Sequence, residues 1–213
     1  EGLEQKYIKE AFDTNWVVPL GPNVNAFEDD LKLFVGKDQQ GLEKEVVALS
    51  AGTAAVHLAL IACGVKPGDE VCVQSFTFCA SSHPITYLGA TPVFIDSERD
   101  TWNMDPVALE KAFELYPDVK VVVVAHLYGT PGKIDEINRI CNEHNAVIIE
   151  DAAESLGATY KGIQTGSFGA YNAISFNGNK IITGSSGGMF LTNSLEAAEK
   201  VRKWSTQSRE NAP

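Results

Sequence analysis

Three short segments of this 213-residue chain carry side chains able to do chemistry. One holds Lys180, in Ser175-Phe176-Asn177-Gly178-Asn179-Lys180-Ile181-Ile182. A surface position is the ordinary expectation for a lysine, but this one precedes two isoleucines rather than a polar tract. Burial disfavours the ammonium form and makes the amine a nucleophile. A second segment ends in Asp151, after the apolar run Val147-Ile148-Ile149 and Glu150. Asp151 either caps a following helix or stands at a sheet edge as a carboxylate that pairs with a cation. The third is Ser50-Ala51-Gly52-Thr53, between a strand pattern and a helix pattern. Free N–H groups and the helix dipole make such a turn an anion site, although an ordinary helix cap uses the same residue types.

Other motifs fail on context. The turn at Gly52 lacks the GxGxxG dinucleotide fingerprint. Gly132-Lys133 is followed by Ile134 rather than Ser or Thr, and Pro131 removes a cradle N–H, so the nucleotide-triphosphate loop fails too. Gly184-Ser185-Ser186-Gly187-Gly188 spells a GxSxG elbow around Ser186, but an apolar strand follows where an elbow needs a helix. The histidines (His57, His83, His126, His144) lie far apart, which argues against zinc. Cys63, Cys72, Cys79 and Cys141 form no CxxC pair and sit in apolar or helical stretches, the pattern of reduced, buried thiols in a cytosolic protein. The net charge of −11 makes the chain a poor candidate for a nucleic-acid binder, because the phosphate backbone rewards basic patches. No apolar run reaches the roughly 18 residues of a membrane span, and no signal-peptide pattern is visible; a cytoplasmic location is expected.

The elements that must position these residues follow from periodicity. Residues 1–20 read as an arm, with Tyr7, Ile8, Phe12 and Trp16 at helical spacing before Val17-Val18-Pro19. Pro22 to Asn25 reads as a turn and Ala26 to Val35 as a helix. Strands are expected at 45–49, 70–73, 91–96, 119–126, 146–151, 172–176 and 188–192. Helices are expected at 53–63, 78–88 (with Pro84 near its start or bending it), 105–115, 134–144 and 195–204. Apolar strands alternating with helices indicate a largely parallel sheet covered on both faces, with ligands at the carboxyl ends of its strands. Each of the three segments falls just beyond such an end, as does Phe78.

An amine, a buried carboxylate, an anion cradle and an aromatic face are what pyridoxal phosphate requires: a Schiff-base partner, a group that keeps the pyridine nitrogen protonated, a phosphate site and a stacking surface. At these residues the chain closely resembles the DegT/StrS family of sugar aminotransferases, whose fold is fold type I among pyridoxal-phosphate enzymes. The matching segments are 50–60 (SAGTAAVHLAL), 67–80 (PGDEVCVQSFTFCA), 89–96 (GATPVFID), 126–135 (HLYGTPGKID), 149–161 (IEDAAESLGATYK) and 175–189 (SFNGNKIITGSSGGM).

The resemblance implies an α/β, three-layer large domain with a mostly parallel mixed sheet of about seven strands and helices on both faces. It implies Lys180 as Schiff-base lysine and general acid/base, and Asp151 as partner of the pyridine nitrogen. Gly52, Thr53 and Ser175 would hold the phosphate and Phe78 would stack on the ring. Glu154 stands where many relatives carry Gln or His, near the cofactor's phenolic oxygen or the substrate. The Asn177-to-Lys180 and Asp151-to-Ser155 segments look most like the subgroup that uses glutamate to aminate UDP-4-keto-6-deoxy-N-acetylhexosamines for surface polysaccharides. Alternatives are amination at another sugar carbon, a dTDP- or GDP-sugar, or a catalytically silent pyridoxal-phosphate-binding relative. A homodimer with shared active sites is implied. By the same comparison 21–205 is the cofactor-binding domain and 206–213 a stub leading to a C-terminal small domain, so that the chain reads as an N-terminal fragment.

Overall fold

A computed structural model describes residues 2–210; residue 1 of the expected arm and residues 211–213 of the expected stub lie outside the described residues. The centre is a seven-stranded sheet. In spatial order it runs β1 (Glu45–Leu49), β9 (Gly188–Thr192), β8 (Tyr171–Ser175), β5 (Val147–Asp151), β4 (Val121–Ala125), β2 (Glu70–Gln74) and β3 (Thr91–Ile95). Only β9 is antiparallel to its neighbours, pairing Gly188 with Leu49 on one side and with Ser175 on the other. The expected mixed, mostly parallel sheet is therefore present, and the carboxyl ends of six strands share one edge.

Strand β4 shows why. Its Val121-Val122-Val123-Val124-Ala125 run is buried throughout. Val121 and Val123 enter one core with Val56, Leu60 and Ile149, while Val122 and Val124 enter a second with Leu109, Phe113 and Ile137. Side chains alternate across a strand, so a continuous apolar run requires cover on both faces. Helices α3 (Gly52–Ala62), α4 (His83–Tyr87) and α7 (Leu195–Ser205) cover the first face; α5 (Pro106–Leu115) and α6 (Ile134–Glu143) cover the second. Helix α2 (Pro22–Val35) packs Leu31 and Val35 against Val46 and Leu191 near the β1 edge. Helix α1 (Leu3–Asp13) buries no residue.

Several local expectations need correction. Residues 22–25 are not a turn but the first turn of α2: Gly21 precedes it with φ 108°, and Pro22 suits a first helical position whose N–H has no intrahelical acceptor. The helix expected at 78–88 is broken. Phe78 is extended, Cys79–Ser81 forms a 3₁₀ turn, and α4 starts at His83 with Pro84 in its first turn. Pro84 has no N–H to donate back into a continuous helix. A small hairpin, β6 (Thr159–Tyr160) with β7 (Ile163–Gln164), was not expected; two-residue strands carry no readable alternation. The reading of all four cysteines as buried fails for Cys79, which is exposed in the broken segment, and Cys63 is only partly covered. No helix among the described residues is long and apolar enough to cross a membrane.

Glu150 pins the sheet from within. It is buried and accepts hydrogen bonds from the N–H groups of Gly166 (2.6 Å) and Phe168 (2.7 Å) and from His126 Nε2 (3.1 Å). His126 Nδ1 accepts from Gly132 N–H, which leaves the ring proton on Nε2. Burial alone would push the Glu150 carboxyl up, but His126 and the two amides outweigh it and hold it below the usual range. A carboxylate depressed in the folded state stabilises above its unfolded pKa and loses that contribution as pH falls through the folded value. Glu150→Gln is therefore expected to cost about 3 kcal/mol at neutral pH by denaturant unfolding. Its stability should also fall less steeply than the parent's below the ordinary carboxylate range.

Candidate active site

The carboxyl-terminal sheet edge opens into a cavity whose lining includes all seven residues expected from the sequence: Gly52, Thr53, Phe78, Asp151, Glu154, Ser175 and Lys180. They arrive from four strand ends and are brought together only by the sheet order.

The anion turn is built by close backbone approach. Helix α3 starts at Gly52, and Ala51 before it supplies no side-chain cap. A Cβ on Gly52 would lie 2.7 Å from Ser175 Cβ, and one on Gly188 would lie 2.3 Å from the Ala51 carbonyl carbon. Glycine is required at both places so that β1, β8 and β9 can converge beneath the helix. Ser186 takes no nucleophile's role: its hydroxyl donates to the Ser50 carbonyl (2.7 Å), fastening the loop before β9 to this turn.

Asp151 ends β5. The helix it could have capped is not there, although Oδ1 does accept from the Ala153 N–H (3.1 Å). Oδ2 accepts from the Ser81 hydroxyl at 2.7 Å. Burial raises the Asp151 carboxyl above its ordinary value; the Ser81 and Ala153 hydrogen bonds and the charge of Lys180 pull the other way without cancelling it. Ser81 was missed in the sequence. Its signal was Pro84, since the break imposed there turns Ser81 inward and leaves Phe78 outward.

Lys180 lies on the loop between β8 and β9, with its side chain 9% exposed. Its Nζ donates to Glu154 Oε1 at 3.2 Å and stands 5.7 Å from the centre of the Phe78 ring. Glu154 Oε2 accepts the Tyr128 N–H at 3.0 Å, so both its oxygens are engaged. Phe78 itself is 61% exposed. A primary amine, an aromatic face, a buried carboxylate and a capless helix start thus surround one space.

The DegT/DnrJ/EryC1/StrS aminotransferase family matches this chain over residues 1–213. The chain belongs to that family. It is 52% identical over 217 residues to EpsN of Bacillus subtilis, which is assigned by its name to the pyridoxal phosphate-dependent aminotransferases; the match covers 99% of this chain and 54% of EpsN. It is 42% identical over 202 residues to the GDP-perosamine synthase of Caulobacter vibrioides, covering 95% of this chain and 52% of that protein. The solved structure of a DegT/DnrJ/EryC1/StrS aminotransferase from Brucella abortus superposes with a TM-score of 0.85 at 32% identity, over 93% of this chain and 53% of that one. The chain spans about half the length of the curated relatives it matches. The fold is that of the fold type I aminotransferases of this family.

Two variants probe the geometry without any ligand. Asp151 has its charged form disfavoured, and a carboxyl raised in the folded state costs stability as pH rises through its folded pKa. Asp151→Asn should therefore unfold at a higher denaturant concentration than the parent at neutral pH, with the difference closing in acid. Gly52→Ala should lose about 1–3 kcal/mol in the same assay, because its methyl meets Ser175 in a packed strand end.

Proposed function

We propose that this chain carries the cofactor domain of a pyridoxal-phosphate-dependent aminotransferase that transfers an amino group, from glutamate, to the keto group of a nucleotide-linked deoxy sugar. The observation that carries this reading is the Lys180 amine placed between the Phe78 ring and the Glu154 carboxylate, in the same cavity as the buried Asp151.

The residues present fit pyridoxal phosphate. Asp151 is a buried carboxylate short of a cation, and a protonated ring nitrogen would supply one. Gly52 and Thr53 offer N–H groups at the start of α3, with Ser175 beside them, as a phosphate requires. When bound, pyridoxal phosphate supplies an aldehyde and an electron-withdrawing ring. Phe78 would lie against that ring and fix its plane. Asp151 would hold a proton at the ring nitrogen. Lys180 Nζ is the amine the aldehyde would meet; when free, it would accept a proton from the α-carbon of the amino donor and deliver it at a fixed position. Glu154 orients Nζ through the 3.2 Å hydrogen bond and keeps a negative charge beside it.

For the acceptor, the Asn177-to-Lys180 and Asp151-to-Ser155 segments favour UDP-4-keto-6-deoxy-N-acetylhexosamines. The 42% identity with a GDP-perosamine synthase favours a GDP-linked keto sugar as the second reading. The whole protein would work as a cytoplasmic homodimer with shared active sites, in surface-polysaccharide synthesis. Its parts would be an arm (1–20), the cofactor domain (21–205) and a connection (206–213) to a further domain.

Pyridoxal phosphate followed by borohydride should add the cofactor's mass at Lys180, read by peptide mass spectrometry, and add none there in Lys180→Ala. Labelling of other lysines at equal yield, with Lys180 unmodified, would sink the assignment. Incubation of the complete protein with glutamate and a panel of UDP-, GDP- and dTDP-linked keto sugars should then aminate one class far faster than the others.

A further inference from the structure

Beyond the cavity, three aromatic side chains are held out into solvent. Phe76 is 45% exposed, Trp102 63% and Tyr128 80%. The Phe76 ring meets the other two edge to face, with centroids 6.1 Å apart for Phe76 and Trp102 and 6.4 Å for Phe76 and Tyr128. Two of them sit on left-handed backbone, Trp102 at φ 63° and Tyr128 at φ 52°, a region that bulky residues rarely occupy.

The loops behind these rings are fastened by buried side chains. Asn103 is fully buried; its Nδ2 donates to the Thr130 carbonyl (2.8 Å) and its Oδ1 accepts the Leu127 N–H (3.0 Å). Gln74, also fully buried, donates to the Phe76 carbonyl (3.0 Å) and accepts the Ala125 N–H (3.0 Å). Glu98 closes the 98–103 loop by accepting from the amides of Asp100 (2.7 Å) and Thr101 (2.8 Å), from the Thr101 hydroxyl and from Lys133 (3.4 Å). Burial pushes Glu98 up, but these donors prevail and hold it at about 2. An exposed aromatic cluster on strained backbone, with its supports buried and satisfied, is preorganised to receive a flat partner.

Its position says which. The Tyr128 N–H reaches Glu154, and Glu154 reaches Lys180, so the cluster is joined to the candidate amine through one residue, and Phe76 links the Tyr128 ring to that of Trp102. A nucleotide-linked sugar has an extended shape: the reacting sugar lies at one end and the base at the other, across a diphosphate. We propose that Phe76, Trp102 and Tyr128 form the stacking platform for the base of the nucleotide-linked substrate. The proposal rests on the nucleotide-sugar reading above. It makes base recognition a matter of ring faces, which every base offers.

Ligand-observed NMR titration of the chain with UDP, GDP and inorganic pyrophosphate tests this. UDP or GDP should bind and pyrophosphate should bind far more weakly. Trp102→Ala and Tyr128→Ala should each weaken the nucleotide by about tenfold, and Trp102→Phe should restore most of it. Nucleotide affinity unchanged in both alanine variants would overturn the platform and leave the nucleotide-sugar reading standing. Failure of both nucleotides to bind the parent would overturn it too, as would a tryptophan-fluorescence change that is lost in Trp102→Ala and follows protein concentration instead of nucleotide, the mark of a second copy covering the rings. Borohydride labelling of Lys180 in the parent tests the cofactor reading separately.

Discussion

The start of α3 lies almost in backbone contact with two strands of the sheet, and this close approach governs the site. Gly52 faces Ser175 and Gly188 faces Ala51 at separations that leave no room for a Cβ. Ser186 and Gly187 both donate to the Ser50 carbonyl, which locks the same junction from the other side. The helix start, the end of β8 and the loop bearing Lys180 are therefore fixed relative to one another by main chain. Flexible side chains would hold them far less exactly in register. A ligand seated at such a junction would require little loop ordering.

Glu150 and Asp151 show how alternation along one strand divides labour. Both are buried carboxylates, adjacent in sequence, on opposite faces of β5. Glu150 meets a histidine and backbone amides and is held in its charged form. Asp151 meets one hydroxyl and one amide, which leave its charge undercompensated. The first ties down the segment leading into β8. The second faces the cavity, so two neighbouring carboxylates come into opposite surroundings through the pleat alone.

Much of this was legible in the residues. The valine run at β4 announces a sheet covered on both faces, and the strand ends then predict where chemistry collects. All seven expected site residues do line one cavity. What could not be read was local and backbone-driven. The interruption at Pro84 decides that Phe78 points into the open and Ser81 toward Asp151, whereas apolar periodicity favours one continuous helix. The left-handed conformations of Trp102 and Tyr128 have no glycine or asparagine to announce them. The loops that carry them are fastened by buried Asn103, Gln74 and Glu98, which combine short-range bonds to Phe76, Asp100 and Thr101 with bonds to Leu127, Thr130, Ala125 and Lys133 that lie far off in sequence. Cys79, assigned to the interior by its apolar neighbours, is exposed for the same reason as Phe78.

The reversal of β9 has a mechanical effect on the amine. Because β8 and β9 are adjacent and antiparallel, residues 176–187 form a loop whose two ends are held side by side, with Phe176 N–H on the Gly187 carbonyl (2.9 Å) and Gly184 N–H on the Phe176 carbonyl (3.0 Å). Lys180 thus rides on a short closed bow strung between neighbouring strands, not on a long crossover. Shear of the distant helical layers has little leverage on such a bow. Its reach is set by the number of residues between the two anchors, so a single insertion or deletion there would retune the amine's position while the rest of the sheet kept its shape.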